Sequence, residues 1–475
     1  MEFICIMGNL KLSTSLLTVS AVAVLLAGCY SSKPVPDVLF SNKYTGIELS
    51  KRKTLPGNMN TLTVETAKQI AKENNPNYLS TKHALAAATA RFYQSFAPYL
   101  PRVTAGYGMY EHKDTPASRG GDGSGSRRYT EKNSGISVDW LIFDGLMRTM
   151  NMLASKYSKE QAAELNKDAL RLLMQAIRIA YNNVLLSKDR IRIAIADELF
   201  NRQLYDETKI KYDAGAVPLT DLLNFEIRMH NAQSRVIAQK YQFYTARTIL
   251  AELMGLTNAE LPEDIFPELK AMNEPFPIDV NTYLDMALSS RPDLKAFRSA
   301  VIASKYRVAS RWGAFLPTLT ANVTFGHQRS DWDAAGRWHF SNRAKDQNFS
   351  YGFNAQWVLF NGGSRIFQLR EAQAYLAESK EYLLEKWISV VANVRQSYAD
   401  RKRRAEQMTI YEKNLELVKK TRNLIEEEYK AGNASITRLN EAQRDLVVAE
   451  TNLSTSIVDL ENSKANLDAA IGMIE

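Results

Sequence analysis

Between Ile436 and Ile471, leucine returns every seventh residue, at Leu439, Leu446, Leu453, Leu460 and Leu467. A companion line three or four residues away reads Ile436, Gln443, Glu450, Ile457, Lys464 and Ile471. A third line is small: Ala442, Ala449, Ser456, Ser463 and Ala470. An apolar seam held at heptad spacing over five repeats predicts a long helix in coiled-coil packing. With two packing lines it can touch a neighbour on each side, which suits a wall of helices. The pattern also stands 217 residues earlier, with Leu222, Met229, Val236, Phe243 and Leu250 as the seam and Leu219, Glu226, Gln233, Lys240, Arg247 and Met254 as its partner. Each copy is preceded by the same turn, Tyr212-Asp-Ala-Gly215 and Tyr429-Lys-Ala-Gly432. The chain therefore holds two structural copies of one unit.

The elements before each turn also recur. A short helix is expected from Thr63 to about Glu73, and a second from Asn75-Pro76 to about Ala97, with its counterpart opening at Arg291-Pro292. Proline suits a helix's first turn. Both of these helices run into a Leu-Pro junction, Leu100-Pro101 and Leu316-Pro317, where the residue before proline is pushed out of the helical region. Alternation of period two follows, predicting strands at about 102–112 and 134–143 in the first copy and about 318–328 and 349–360 in the second. One face of these strands is apolar and aromatic and the other small and polar, which fits lipid outside and water inside. Strands of about ten residues match a transmembrane β-strand. A soluble sandwich also alternates. Four strands are too few to close a membrane barrel, and open edges cannot face lipid, so a barrel built from them must be shared between subunits. The glycine cluster Gly120–Gly125 lacks the strand-then-helix setting of a phosphate loop and reads as an exposed loop.

Phe143-Asp144-Gly145 and Phe360-Asn361-Gly362 end the second strand of each copy, and Asp144 and Asn361 are suitable helix N-caps. Each is expected to open a helix of nearly 70 residues, roughly 100 Å long, that ends at Tyr212 or Tyr429. Gly215 and Gly432 allow the left-handed turn that stops it, and a helix of about 38 residues returns. The helix entering the hairpin and the returning helix sum to nearly the length of the long one, so stacked end to end they would match it. The expected division is residues 1–28 signal peptide, 29–61 tether, 62–255 first repeat, 256–278 Pro-rich connection and 279–475 second repeat.

The long apolar run Leu16–Leu26, after Lys11 and before Ala27-Gly28-Cys29, is too short to cross a bilayer and reads as a signal peptide. Leu26-Ala27-Gly28-Cys29 resembles a bacterial lipobox, which implies cleavage before Cys29 and lipidation of its thiol. After cleavage only Cys29 remains, so no intrachain disulfide can form. The net charge of +8 is spread among many acidic residues, and the densest basic run, Arg401–Arg404, lies mid-helix between Asp400 and Glu406. That is a solvated helix face rather than a nucleic-acid site. The five histidines are scattered; no catalytic constellation, metal cluster or cofactor motif stands out.

The duplication, the paired Leu-Pro and Phe-Asp/Asn-Gly junctions and the paired Tyr-x-Ala-Gly turns together resemble the TolC-like outer membrane efflux protein family, over residues from about 62 to 473. The resemblance implies a mainly helical fold with a β-barrel part: a homotrimer whose four-stranded sheets form one twelve-stranded outer-membrane barrel, continued by a periplasmic coiled-coil tunnel. It implies export through that duct together with a periplasmic adaptor protein and an inner-membrane transporter of the RND or ABC type. It places the periplasmic constriction on Arg438 and Glu441, and a tip latch on a hydrogen bond between Tyr429 and Asp221. Arg438 departs from the family's acidic pattern, so a ring at these positions is not purely acidic. Taken as residues alone, Arg438 and Glu441 form an exposed salt bridge three residues apart, Tyr429 packs at a helix end, and Asp221 serves the next helix's first turn. The other reading of the heptads and Cys29 is a lipid-anchored periplasmic scaffold or adaptor without a pore. It leaves the four alternating strands unexplained.

Overall fold

The structure, a computed structural model, describes residues 61–114, 127–267, 269, 279–334 and 341–473. The signal peptide, Cys29, nearly all of the tether, the glycine cluster and most of the Pro-rich connection lie outside the described residues. The first copy holds α1 (Val64–Asn74), α2 (Pro76–Gln94), β1 (Arg102–Asp114), β2 (Arg127–Phe143), α3 (Met147–Asp213) and α4 (Leu219–Leu253). The second holds α5 (Val280–Ser290), α6 (Pro292–Gly313), β3 (Thr318–Ala334), β4 (Ser341–Gln356), α7 (Ser364–Lys430) and α8 (Ile436–Ile471).

Both long helices, α3 and α7, are 67 residues. Flanking α3 on one side are α2 and α4, of 19 and 35 residues; between α3 and α7 lie α6 and α8, of 22 and 36. The expected end-to-end stacking is present in both copies. Asn75 caps α2 and its Nδ2 donates to the Leu253 carbonyl at the end of α4, at 2.8 Å. The equivalent residue before α6, Arg291, donates from Nη1 to the Ala470 carbonyl at the end of α8, at 3.0 Å, while Ser290 Oγ donates to Ile471 O at 2.5 Å. The last carbonyls of a helix have no intrahelical partner, and here the next helix in the stack supplies the donors.

Arg291 is buried and pairs with buried Asp293 at 2.6 Å; Lys386 of α7 reaches the same carboxylate at 3.0 Å. Burial would raise the Asp293 pKa, but the hydrogen bonds and charges of Arg291 and Lys386 overcome it and hold the carboxyl well below its ordinary value. At the first joint the core is apolar. Ile177, Leu250, Met254 and Phe266 gather with Leu62, whose N–H donates to Ile265 O at 2.7 Å. Tyr181 donates its hydroxyl to Leu62 O at 2.7 Å, and burial, with Glu65 nearby, pushes its pKa up to about 12. The described beginning of the inter-repeat connection is thus packed core.

The heptad reading requires one correction. In α8 the continuously buried line is the small one, Ala442, Ala449, Ser456, Ser463 and Ala470, while the leucine seam is buried only at Leu439 and Leu467. Because α8 lies against both α3 and α7, the close approaches fall on small side chains.

The four strands make one antiparallel sheet in the order β1-β2-β3-β4. β2 begins at Arg127 and β4 at Ser341, both earlier than alternation predicted, because their first residues are polar on both faces. β4 ends at Gln356 rather than at 360, because its partner β3 begins at Thr318, opposite Gln356. The expected N-caps are also displaced. α3 starts at Met147 after Leu146 in the left-handed region, yet Asp144 Oδ2 still accepts the Arg148 N–H at 2.8 Å. α7 starts at Ser364 after left-handed Gly363, with no side-chain cap from Asn361.

Candidate functional site

Two places concentrate unusual chemistry: the helix tips and the sheet with its collar. At the tips α3 turns into α4 through Gly215 (φ 72°) and α7 into α8 through Gly432 (φ 78°). Gly215 N–H donates to Tyr212 O at 2.8 Å and Gly432 N–H to Tyr429 O at 3.0 Å, closing the same C-cap twice. The two tips touch through a small core of Leu204, Phe225, Ile425, Leu439 and Ala442, against which Tyr429 packs.

The polar contacts differ from those expected. Arg438 does not pair with Glu441; its Nη1 donates to Glu428 Oε2 of α7 at 3.2 Å. Ser435 caps α8 by accepting the Arg438 N–H at 3.3 Å, so Arg438 sits in the first turn, unfavourable for a cation. Reaching back to the C-terminal turn of α7 relieves this. Glu441 is exposed. The Tyr429 hydroxyl is not bonded to Asp221. It accepts from Lys211 Nζ at 3.3 Å, and the same ammonium lies 5.4 Å from the Tyr429 ring centroid. Asp221 occupies the first turn of α4. Lys211 therefore links the first hairpin to the second. The duplication carried the signal that could have found it. Shifting by 217 puts Lys211 on Glu428 and Asp221 on Arg438, so the two tips carry the same ion-pair positions with the charges exchanged.

At the other end an arginine and a tryptophan in each copy tie strand to helix. Arg148 Nη1 donates to Pro98 O at 3.1 Å, and its guanidinium lies 4.7 Å from the Tyr99 ring centroid. Arg365 Nη1 donates to Ala314 O at 3.0 Å, 5.4 Å from the Phe315 ring centroid. Trp140 Nε1 donates to Tyr99 O at 3.0 Å and Trp357 Nε1 to Phe315 O at 3.1 Å. Tryptophans at the sheet's base suit a membrane interface. One face of the sheet exposes Val103, Ile136, Phe325, Phe349, Tyr351 and Phe353. The opposite face carries Thr104, Ser137, Thr324 and a paired row of glycines, Gly106, Gly135 and Gly326. A Cβ on Gly135 would stand 2.8 Å from Phe325 O, so that position is held to glycine by the backbone, whereas one on Gly106 would meet nothing within 4 Å.

Half of the basic run is absorbed by carboxylates: Arg403 and Arg404 both bind Asp400, and Arg404 also reaches Asp459 of α8. Among the described residues no group of His, Cys, Asp and Glu could hold a metal ion, and no helix is long and apolar enough to cross a membrane.

Residues 68–256 and 283–473, the two copies, each match the family "Outer membrane efflux protein". The alkaline protease secretion protein AprF of Pseudomonas aeruginosa is 26% identical over 413 residues, 83% of this chain and 80% of that protein. The outer membrane protein TolC of Vibrio cholerae is 21% identical over 410 residues, 85% of this chain and 89% of its own. The outer membrane channel CmeC of Campylobacter jejuni superimposes with a TM-score of 0.74 at 16% identity, covering 98% of this chain and 94% of its own.

Proposed function

The chain belongs to the outer membrane efflux protein family and is an exit duct of the outer membrane; we propose that it works as a homotrimer, three sheets closing one twelve-stranded barrel above a tunnel of helices. The observation that carries this reading is the pair of unfilled lateral edges. Among the described residues β1 and β4 each have a strand on one side only, and a sheet edge cannot stay open in lipid. Barrels begin at about eight strands, and the described residues of one protomer form four. Directly below, α7 exposes Phe367, Tyr375, Ile388, Ile410 and Leu417, and α4 exposes Ile227, Ile237 and Tyr241. In the trimer the β1 edge of one protomer would pair with the β4 edge of the next. A scaffold without a pore has no use for such a sheet.

The helix tips form the closed periplasmic entrance. Lys211 bridges the hairpins through Tyr429, and Asp221 competes for Lys211 when the tips separate, as Glu428 holds Arg438 within the second hairpin. Three Glu441 carboxylates face the opening. Tyr212, Gly215 and Gly432 shape the turns that a periplasmic adaptor would engage, with an RND- or ABC-type transporter of the inner membrane behind it. Cys29 carries the lipid that anchors the chain, and radiolabelled palmitate should enter the wild type but not Cys29→Ser. The duct itself is tested by cross-linking the purified full chain and recording it in planar bilayers. Trimers and discrete conductance steps are expected; inserted monomers, or verified trimers that never conduct, would overturn the assignment.

A further inference from the structure

The apolar face of the sheet carries a row of positive charge, and the strands continue past it to a row that holds Glu111, Thr130 and Asp331. Met109 pairs with Lys132, Lys132 with Arg329, and Arg329 with Lys345, so three cations stand side by side on adjacent strands. Residues paired across strands share a face. Four residues nearer the helices, that face carries the row Ala105, Ile136, Phe325 and Phe349. Tyr107, Ser134, His327 and Gln347 lie between the two rows.

The height of this row is decisive. From Ile142, at the helix end of β2, to Lys132 is ten residues. That is about 33 Å of strand, or about 25 Å along the barrel axis at a tilt of roughly 40°. The apolar band of an outer-membrane barrel is about 25 Å tall. The cations therefore sit at the outer rim of the band, facing lipid, at the level of the outer-leaflet headgroups.

Like charges directly opposite one another destabilise a sheet. Arg329 has partial relief, since its Nε donates to Asp331 Oδ1 at 3.2 Å. Lys132 and Lys345, on either side of it, take no carboxylate partner among the described residues. An anion lying against the row would relieve all three.

We propose that Lys132, Arg329 and Lys345 form a headgroup site on the lipid-facing wall that takes the anionic phosphates of outer-leaflet lipid. The site rests on the barrel reading above. It would hold the duct at a fixed depth and order a shell of phosphate-bearing lipid around its outer rim.

The test uses the full chain reconstituted in phosphatidylcholine vesicles with trace spin-labelled phosphatidic acid or spin-labelled phosphatidylcholine. The fraction of motionally restricted label gives the relative association of each lipid. The wild type should prefer phosphatidic acid, and Lys132→Gln/Lys345→Gln should lose about fivefold of that preference for each lysine removed. Lys132→Arg/Lys345→Arg should keep it. Equal preference in the wild type and the glutamine variant would overturn the proposal. Loss of the preference when inorganic phosphate is added in excess would reassign the row to soluble anions and overturn the lipid assignment. Conductance measured on the same vesicles separates the two readings: chains that conduct but do not select lipid refute this site alone, whereas chains that never insert refute the barrel beneath it.

Discussion

Removing Lys211 should open the duct, and removing Asp221 should close it further. Lys211 Nζ lies 3.3 Å from the Tyr429 hydroxyl and 5.4 Å from its ring centroid. An exposed cation–π contact contributes about 0.5–1 kcal/mol, and a long, exposed hydrogen bond adds a few tenths more. About 1 kcal/mol per tip follows. If three tips of a trimer separate together, Lys211→Met shifts the open-to-closed ratio by about 3 kcal/mol, on the order of a hundredfold. Asp221 acts in the opposite sense. Its counterpart pair, Arg438 and Glu428, closes at 3.2 Å within one hairpin. An equivalent Lys211–Asp221 pair in the separated state would be an exposed bridge of about 0.2–1 kcal/mol. Asp221→Asn removes that pair from the open state only, so open occupancy should fall several-fold. Single-channel recording in planar bilayers reads both, at low salt and again at high salt, where screening should shrink the two effects. A rise in open occupancy for Asp221→Asn as large as that for Lys211→Met would refute this reasoning, because a direct Tyr429–Asp221 bond predicts that result.

Arg291→Met should loosen the second helix joint by about 3 kcal/mol, since it orphans the Ala470 carbonyl and leaves buried Asp293 with Lys386 alone. Hydrogen exchange at the start of α6 and the end of α8 should accelerate about a hundredfold, and adding Asp293→Asn should recover part of the loss. The Asp293 carboxyl is held below its unfolded value of 3.8, so its contribution is complete above that pH and is lost as pH falls through it toward the folded value. Protection at this joint, corrected for intrinsic exchange, should therefore drop below about pH 4 in the wild type and lose that dependence in Asp293→Asn. Gly313→Ala places a Cβ 2.5 Å from Gly145 O, so the contact between α6 and the start of α3 must shift. The variant should lose heat-resistant oligomer on gels while Gly106→Ala, which meets nothing within 4 Å, should not.

Sequence alone determined the duplication, the order of elements, both turn glycines and α8, whose bounds Ile436–Ile471 follow from the heptad. These properties are local. A period of seven, a Leu-Pro step or a left-handed glycine is written within a few residues of where it acts. Tertiary structure decided what depends on residues far apart in the chain. It buried the small line of α8 throughout and the leucine seam only at Leu439 and Leu467, because two neighbours press on that helix. It gave the Tyr429 hydroxyl to Lys211 and Arg438 to Glu428, because a tip side chain chooses among partners from two hairpins. It ended β4 where β3 begins, and set Lys132, Arg329 and Lys345 in one row, because strand register is fixed by pairing rather than by any strand's own pattern.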